Sequence, residues 1–376
     1  MSPGARHLYV HVPFCAGRCG YCDFVSVVGR RHEHQRYVEA LLAELELERD
    51  LLAPELETVY LGGGTPSFLT AGALRLLLGA LPAAAEVTIE VNPETVTREL
   101  CESLVAFGVT RVSLGVQSFE KRLLNVLGRH ASTGDARSAV QTLRDLGAGN
   151  VSLDLLYGIP GQSAADLDAE LSAALELEPE HISCYELEAK PGTRFTREHG
   201  AELLRQSGLM EAYLERIVER LTGAGYRWYE TASFARLDSE RDLRSSHNLG
   251  YWRGRDYLGL GVGAVSTVGE RRWRNSPPMA TYLKTLERGV RPPREIELVG
   301  EAIRRRERLM LGLRLDEPLQ LDGLETALDP AAMARLEKLG LVARSDAGIS
   351  LTHRGRFLGD AVSADLIVGA DDPVAA

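Results

Sequence analysis

The sequence has few cysteines, no excess of positive charge and no long hydrophobic run, and each shortage excludes a class of protein. Its five cysteines are an odd number in a 376-residue chain without an apolar signal-peptide core, which argues against a disulfide framework. No apolar run reaches the length of about 18 residues that a membrane span needs. The 43 basic residues face 53 acidic ones, and the net charge of −10 disfavours nucleic acid as a partner. We therefore expect a soluble, cytoplasmic protein.

The first 230 residues alternate short runs of β-branched residues with amphipathic stretches. Gln35–Leu52, for example, repeats its apolar residues at helical spacing. Most neighbouring candidate strands begin roughly 25 to 50 residues apart, which is typical of repeated βα units. Such units form a full or partial parallel barrel or an open doubly wound sheet. The candidate strands are Leu8–Val12, Thr58–Leu61, Val87–Val91, Arg111–Val116, Val151–Leu156 and His181–Leu187.

Beyond residue 225 the regular alternation of strand and helix patterns stops. Gly225–Phe234 is predicted to form one more strand, and a polar loop leads from it to Ser246–Trp252 and the glycine-rich Tyr257–Ser266. The pair Pro292-Pro293 marks a boundary. We predict three parts, which are a barrel over 1–230, an extension over 231–293 and a C-terminal module over 294–376.

The C-terminal module is predicted to resemble a winged helix, because two helices precede a hairpin. DNA binding is disfavoured, since the second helix carries no dense basic face. The predicted elements are helices at Val299–Leu313 and Ala331–Leu339 and a hairpin within Leu341–Thr352.

Three of the five cysteines form the string Cys15-Ala-Gly-Arg-Cys19-Gly-Tyr-Cys22, just after the first candidate strand. A structural zinc ion needs a fourth protein ligand, and the remaining Cys101 and Cys184 are single and lie in apolar surroundings. Three thiolates without a fourth ligand favour a cubane iron–sulfur cluster with one open iron. An open iron is a coordination site for a further molecule.

The spacing C-x3-C-x2-C, with Tyr21 before the last cysteine, resembles the signature of radical S-adenosylmethionine enzymes. The resemblance implies that Cys15, Cys19 and Cys22 ligate a [4Fe–4S] cluster whose open iron is chelated by the amino and carboxylate groups of S-adenosylmethionine. In that superfamily, one electron from the cluster splits the sulfonium into methionine and a 5′-deoxyadenosyl radical. The protein supplies ligation, positioning and exclusion of water.

Further motifs follow successive candidate strands. The segment Tyr60-Leu-Gly-Gly-Gly-Thr-Pro66 contains three glycines, which let backbone groups approach a ligand closely. Glu90 ends the third strand and is suited to ribose hydroxyls, and Gln117 ends the fourth. Each polar residue alone would be given a structural role, but their order on consecutive βα units favours ligand binding.

Four segments resemble the coproporphyrinogen-dehydrogenase-like branch of this superfamily, and the resemblance covers nearly the whole chain. It implies an α/β fold with a partial parallel (β/α)6 barrel and a small C-terminal module. The segments are Tyr9–Cys15, Gly62–Ser67, Gly115–Phe119 and Asp154–Pro160. The S-adenosylmethionine contacts that the resemblance implies are Tyr9, Tyr21, Gly63, Gly64, Thr65, Glu90, Gln117, Arg129 and Asp154.

Two departures point away from the porphyrinogen oxidase of this branch. The oxidase has a further cysteine two residues after the third cluster ligand, where this chain has Phe24. The oxidase also has an N-terminal extension that helps to build its substrate pocket, whereas fourteen residues precede Cys15 here. Both differences disfavour porphyrinogen decarboxylation.

The segment His247-Asn-Leu-Gly-Tyr-Trp252, together with Phe24, resembles the heme chaperones of the same branch. A neutral imidazole suits the axial position of heme iron, and tyrosine or tryptophan can flank a flat macrocycle. The resemblance therefore implies that His247 contacts heme. The alternative is that His247 and Trp252 only pack a loop against the barrel. Cys184 is a less favoured heme ligand, because its strand setting indicates burial.

The resemblance implies a chaperone that holds heme as cargo and delivers it to client hemoproteins of the respiratory chain. The cluster and S-adenosylmethionine would serve stability, dimerisation to a homodimer or gating. Any membrane association would be peripheral and mediated by a partner, since no basic amphipathic helix is evident. The alternative is a radical enzyme, either a coproporphyrinogen III oxidase-like protein or a C-methyltransferase. Whether S-adenosylmethionine is cleaved in function stays open.

Overall fold

A computed structural model describes residues 4–129, 131–188, 190 and 193–368 of the chain. The strands are β1 (His7–Val12), β2 (Phe14–Cys15), β3 (Val27–Val28), β4 (Leu56–Gly63), β5 (Ala84–Val91), β6 (Arg111–Gln117), β7 (Val151–Tyr157), β8 (His181–Glu186), β9 (Tyr226–Trp228), β10 (Ser233–Arg236), β11 (Tyr257–Leu260), β12 (Val265–Val268), β13 (Arg271–Asn275), β14 (Arg294–Leu298), β15 (Val342–Ser345) and β16 (Gly348–Leu351). The helices are α1 (His34–Glu48), α2 (Ala71–Ala80), α3 (Arg98–Ala106), α4 (Lys121–Leu127), α5 (Thr133–Asp145), α6 (Ala164–Leu175), α7 (Arg194–Ser207), α8 (Met210–Gly223), α9 (Ser246–Trp252), α10 (Met279–Leu286), α11 (Glu301–Gly312), α12 (Pro330–Lys338), α13 (His353–Phe357) and α14 (Gly359–Leu366).

Six parallel strands form the centre of a twelve-stranded sheet. They are paired in chain order, β1-β4-β5-β6-β7-β8, and helices α1 to α6 lie in the connections between them. A parallel pair needs such a crossover connection, which explains the alternating sequence pattern. The six predicted strands and their βα rhythm are confirmed, with strand ends that differ by at most three residues from the prediction.

Strands that do not belong to the repeated βα units extend both edges of this sheet. The glycine-rich β11 is parallel to β1, and β12, β13 and β14 continue from it in antiparallel pairs. At the other edge, β10 and β9 add antiparallel to β8. Within the described residues the sheet ends at β9 and β14, so it is an open, partial barrel.

The prediction of one strand over Gly225–Phe234 is wrong. The segment instead turns back on itself between β9 and β10. The indole N–H of Trp228 donates to the carbonyl of Thr231 at 3.1 Å, and this bond closes the turn. A run of aromatic and β-branched residues has the same composition whether it forms one strand or a hairpin, which is why the sequence pattern missed the turn.

The two faces of the parallel strands differ in chemistry, because successive side chains point to opposite sides of a strand. On one face, leucines, valines and isoleucines pack against the crossover helices in a single large core. The opposite face, which we call the lumen face, is polar and aromatic. Its side chains include His7, Tyr9, Thr58, Tyr60, Glu90, Ser113, Asp154 and Tyr185.

The C-terminal segment has a hydrophobic core of its own, formed by α11, α12, α14 and the β15–β16 hairpin. This confirms the predicted helix, helix and hairpin, which two further helices follow. The guanidinium of Arg356 lies 3.6 Å from the ring centre of Trp228 and joins this segment to the barrel. The three predicted parts stay a prediction, and residues 369–376 lie outside the described residues. None of the described helices is long and apolar enough to cross a membrane.

Candidate cofactor site

The three clustered cysteines lie on one short segment after β1, which we call the cysteine loop: Cys15 ends β2, and Cys19 and Cys22 lie between β2 and β3. The backbone N–H of Val27 donates to the carbonyl of Pro13, and that of Gly29 donates to Cys15, at 2.8 and 2.9 Å. These bonds close the base of the loop. All three thiols are free and partly exposed, whereas those of Cys101 and Cys184 are buried.

Polar side chains from segments that follow later strands contact the cysteine loop. The hydroxyl of Thr65 lies 3.6 Å from the sulfur of Cys15, and Nη1 of Arg129 lies 3.8 Å from the sulfur of Cys19. Asn92 links these two contacts, since its amide donates to Thr65 at 3.1 Å and its carbonyl accepts from Arg129 at 3.0 Å. The cysteine loop is therefore attached to the ends of β4 and β5.

The chemistry of this loop fits an iron–sulfur cluster. Thiolates are the ligands that such clusters use, and Arg129 places a positive charge 3.8 Å from the sulfur of Cys19. Burial raises the pKa of the Cys15 thiol, an effect that the hydrogen bond from Thr65 partly offsets. The buried Nε of Arg129 lacks a hydrogen-bond partner among the described residues. No three histidine, cysteine, aspartate or glutamate side chains in the described ranges converge as ligands of one metal ion.

The glycines at the end of β4 lie where a side chain would collide with neighbouring atoms. A Cβ atom on Gly64 would lie 2.7 Å from the carbonyl carbon of Pro13 and 2.9 Å from the carbonyl oxygen of Phe14. Gly63 has a φ of +114°, and a Cβ there would also collide with the His11 ring. These glycines let the end of β4 approach the cysteine loop closely.

Glu90 is held on the lumen face by two donors. The hydroxyl of Tyr60 donates to one carboxylate oxygen at 2.8 Å, and the backbone N–H of Gly63 donates to the other at 3.0 Å. Burial raises the pKa of Glu90 to about 7, the negative charge of Asp154 adds to this, and the two hydrogen bonds only partly offset it. A carboxylate at the end of β5 is therefore fixed beside the glycine segment.

Gln117 ends β6 in an unusual conformation. Its φ is +67°, in the left-handed region that residues other than glycine seldom adopt. The register between β6 and β7 shifts between Leu114 and Gln117, which indicates a bulge. A Cβ on Gly115 would lie 3.2 Å from both the Gln117 amide and Asn92. Strain of this kind concentrates at functional sites and supports a functional role for Gln117.

Three further predicted residues surround this region. Asp154 on β7 accepts a hydrogen bond from the hydroxyl of Ser113 at 2.8 Å, and burial raises its pKa. Tyr9 on β1 lies with its ring centre 6.1 Å from that of Tyr60. Tyr21, on the cysteine loop, instead contacts Phe195 of α7 edge to face.

His247 lies at the opposite end of the lumen from the cysteine loop. It is 1% exposed, and Nδ1 lies 2.7 Å from the hydroxyl of Thr58. Its other ring nitrogen, Nε2, lies 3.0 Å from the hydroxyl of Tyr251. Burial lowers the pKa of His247 to about 3. Both ring nitrogens thus have partners, and heme contact at His247 stays a prediction.

Asn92 and Tyr60 are site residues that the sequence patterns did not single out. Both lie in motifs that carry predicted residues, since Asn92 follows β5 directly and Tyr60 precedes the three glycines. A polar residue in an Asn-Pro pair at the end of a parallel strand was an available signal for Asn92. The contact of Tyr60 with Glu90 depends on strand register, which the sequence pattern does not give.

Comparisons with known proteins agree with this geometry. The Radical SAM superfamily model matches residues 9–173, and the HemN C-terminal domain model matches residues 303–358. The heme chaperone HemW of Mycobacterium tuberculosis is 38% identical over 372 residues, which cover 96% of this chain and 94% of the relative. The heme chaperone HemW of Bacillus subtilis is 32% identical, with 95% and 98% covered.

The chain belongs to the HemW family of radical SAM proteins. Among solved structures, coproporphyrinogen III oxidase (HemN) from Escherichia coli is similar to this HemW-family chain, with a TM-score of 0.78 and 25% identity over 96% of this chain and 90% of that one. The predicted branch of the superfamily and the predicted α/β fold with its partial barrel are confirmed.

Proposed function

We propose that this chain is a heme chaperone that carries a [4Fe–4S] cluster and S-adenosylmethionine. The observation that carries the proposal is similarity to a curated heme chaperone over 94% of that relative's length. Heme is the cargo in this proposal, and the recipients are hemoproteins of the respiratory chain. A cytoplasmic homodimer with peripheral, partner-mediated membrane contact belongs to the same proposal.

We assign the cluster to Cys15, Cys19 and Cys22. The contacts of Thr65 and Arg129 with two of these sulfurs support the assignment. When bound, the cluster supplies the electron that cleaves S-adenosylmethionine in radical enzymes. The residues that would hold S-adenosylmethionine are Tyr9, Tyr21, Gly63, Gly64, Thr65, Glu90, Gln117, Arg129 and Asp154.

The second candidate function is radical catalysis, of the coproporphyrinogen oxidase or C-methyltransferase type. The structural similarity to coproporphyrinogen III oxidase favours it. Phe24 disfavours the oxidase reaction, because the side chain at this position is 61% exposed and offers a phenyl ring in place of a thiol. The chaperone proposal therefore ranks first.

Iron and cofactor binding provide the first test. Anaerobically reconstituted protein is expected to hold about four irons per chain and to bind S-adenosylmethionine. Cys19→Ala should lose the cluster, whereas Cys101→Ala should keep it, because Cys101 is buried in the helix-side core. A Cys19→Ala protein that still holds the full iron content would contradict the assignment.

Heme titration followed at the Soret band tests the chaperone role itself. We expect saturable, roughly stoichiometric binding to the wild-type protein. His247→Ala is compared with His181→Ala, because His181 is equally buried and both its ring nitrogens also have hydroxyl partners, Ser152 and Tyr229. Weaker binding only in His247→Ala would support a heme contact there, and equal binding would place heme elsewhere. Absence of specific heme binding would overturn the chaperone proposal in favour of an enzyme.

A further inference from the structure

Helix α9, which contains the His-Asn-x-x-Tyr-Trp motif, reaches into the lumen beneath the candidate cofactor site. The backbone N–H groups of Ser246 and His247 donate to the two carboxylate oxygens of Glu86 at 3.0 and 3.1 Å. Glu86 lies on the same strand, β5, as Glu90 and four residues before it. The start of α9 is thereby tied to the strand that carries the candidate cofactor carboxylate.

The His247 ring is fixed from both sides. Its Nδ1 shares the hydroxyl of Thr58 with Nδ1 of His7, at 2.7 and 2.9 Å. Its Nε2 lies 3.0 Å from the hydroxyl of Tyr251, whose ring packs edge to face on Tyr257. With both nitrogens bonded and the side chain buried, the plane of the imidazole has one orientation.

That plane lies against Tyr60. The two ring centres are 4.9 Å apart and the planes differ by 26°, which is a stacked arrangement. Tyr60 also lies nearly parallel to Tyr9, at 6.1 Å and 25°. Its hydroxyl is thereby aimed at Glu90, to which it donates at 2.8 Å. A tyrosine held by ring contacts loses less rotamer freedom when it makes this bond.

We propose that His247 is a positioning residue for S-adenosylmethionine, because its ring fixes Tyr60 and Tyr60 fixes Glu90 against the backbone of Gly63. This inference rests on the proposed binding of S-adenosylmethionine and goes beyond the heme contact that the motif implied. It gives the His-Asn-x-x-Tyr-Trp motif a role beneath the candidate cofactor site.

A substitution of His181 serves as the control that distinguishes a positioning role of His247 from a merely structural one. His181 is as buried as His247 and bonds Ser152 and Tyr229 through its two nitrogens at 2.8 and 2.9 Å. The described ring contact of His181 is with Tyr229. Glu90 accepts its hydrogen bonds from Tyr60 and Gly63, not from His181 or Tyr229. Tyr229 also accepts a hydrogen bond from the backbone N–H of Ser245, just before α9, at 3.3 Å. We expect His181→Ala to remove a comparable buried imidazole and to leave the Tyr60–Glu90 pair in place, because the hydrogen bonds of that pair involve neither His181 nor Tyr229.

The test is calorimetric titration of S-adenosylmethionine into anaerobically reconstituted protein. We expect His247→Ala to raise Kd about tenfold, the size of one weakened hydrogen bond to a charged group. His247→Phe keeps a flat ring against Tyr60 and should stay within about threefold of wild type, although it is less stable. His247→Gln keeps hydrogen-bonding groups without the ring, so we expect it to bind S-adenosylmethionine as weakly as His247→Ala does. His181→Ala should change Kd by less than about twofold.

Tyr60→Phe keeps the ring and loses only the hydroxyl, so it tests the contact of Tyr60 with Glu90 at the end of the same chain of contacts. It should raise Kd about tenfold, and adding His247→Ala to it, or His247→Gln where His247→Ala fails to fold, should weaken binding little further. Unchanged Kd in His247→Ala, failure of His247→Phe to restore binding, or additive effects would each overturn the inference. Wild-type protein that binds no S-adenosylmethionine would instead overturn the proposed cofactor. Loss of heme binding in His247→Ala with unchanged S-adenosylmethionine affinity would establish the heme-ligand role in its place.

Discussion

Replacing Glu90 with glutamine should stabilise the cofactor-free protein, and only at neutral and alkaline pH. The carboxyl has its pKa raised from 4.5 to about 7, chiefly by burial. Between these two values the folded state holds more protons than the unfolded state, so the contribution of Glu90 to the free energy of unfolding falls as the pH rises. Above pH 7 the full cost of burying the charge is present.

The size of the effect follows from the pKa difference. A difference of about 2.5 units corresponds to about 3 kcal/mol at 1.36 kcal/mol per unit. Because the Glu90 side chain retains some exposure to solvent, which screens its charge, we expect Glu90→Gln to raise the free energy of unfolding by about 1–3 kcal/mol at pH 8. The amide can keep both native contacts, since its oxygen accepts from Gly63 N–H and its NH2 donates to the Tyr60 hydroxyl.

Urea unfolding of both proteins without cofactors, at pH 5 and pH 8, measures this difference. Subtracting the wild-type free energy of unfolding at each pH cancels the contributions of the other titrating groups. One of these is His247, whose lowered pKa makes the free energy of unfolding rise with pH between about 3 and 6.5. Glu55→Gln, at an exposed position, serves as the control variant. A Glu90→Gln protein that is no more stable at pH 8, or whose advantage is the same at both pH values, would refute the argument.

Two further substitutions test the packing around the site and between the parts of the chain. Gly64→Ala should destabilise the protein by about 2–3 kcal/mol in urea unfolding, because its Cβ would meet backbone atoms at 2.7 Å. Gly72→Ala, in open space on α2, should instead stabilise it by up to about 1 kcal/mol. Arg356→Met removes the contact with Trp228 and two hydrogen bonds to carbonyls, and should cost about 1–3 kcal/mol and expose the C-terminal segment to limited proteolysis. The exposed Arg354→Met on the same helix should leave the proteolysis pattern unchanged.

The cluster cysteines and the glycine segment, which the sequence predicted, each lie within one short stretch of the chain. Cys15, Cys19 and Cys22 occupy one loop, and the three glycines follow one strand, so spacing alone indicates their chemistry. Asn92 was missed because its role depends on Arg129, which lies 37 positions later. Side chains so far apart in sequence meet only when β5 and β6 pair, and a single sequence carries little sign of that contact.

The sequence by itself determined the alternation of strands and helices along the chain and the cysteine loop, because apolar periodicity and residue spacing are local properties that hold before any long-range contact forms. It also indicated the C-terminal helices and hairpin. Only the tertiary structure decided the environment of His247, since Thr58 lies 189 positions away and Tyr60 belongs to the same distant strand. Burial and the orientation of a ring depend on everything that packs around it, and those neighbours are set by the pairing of the whole sheet.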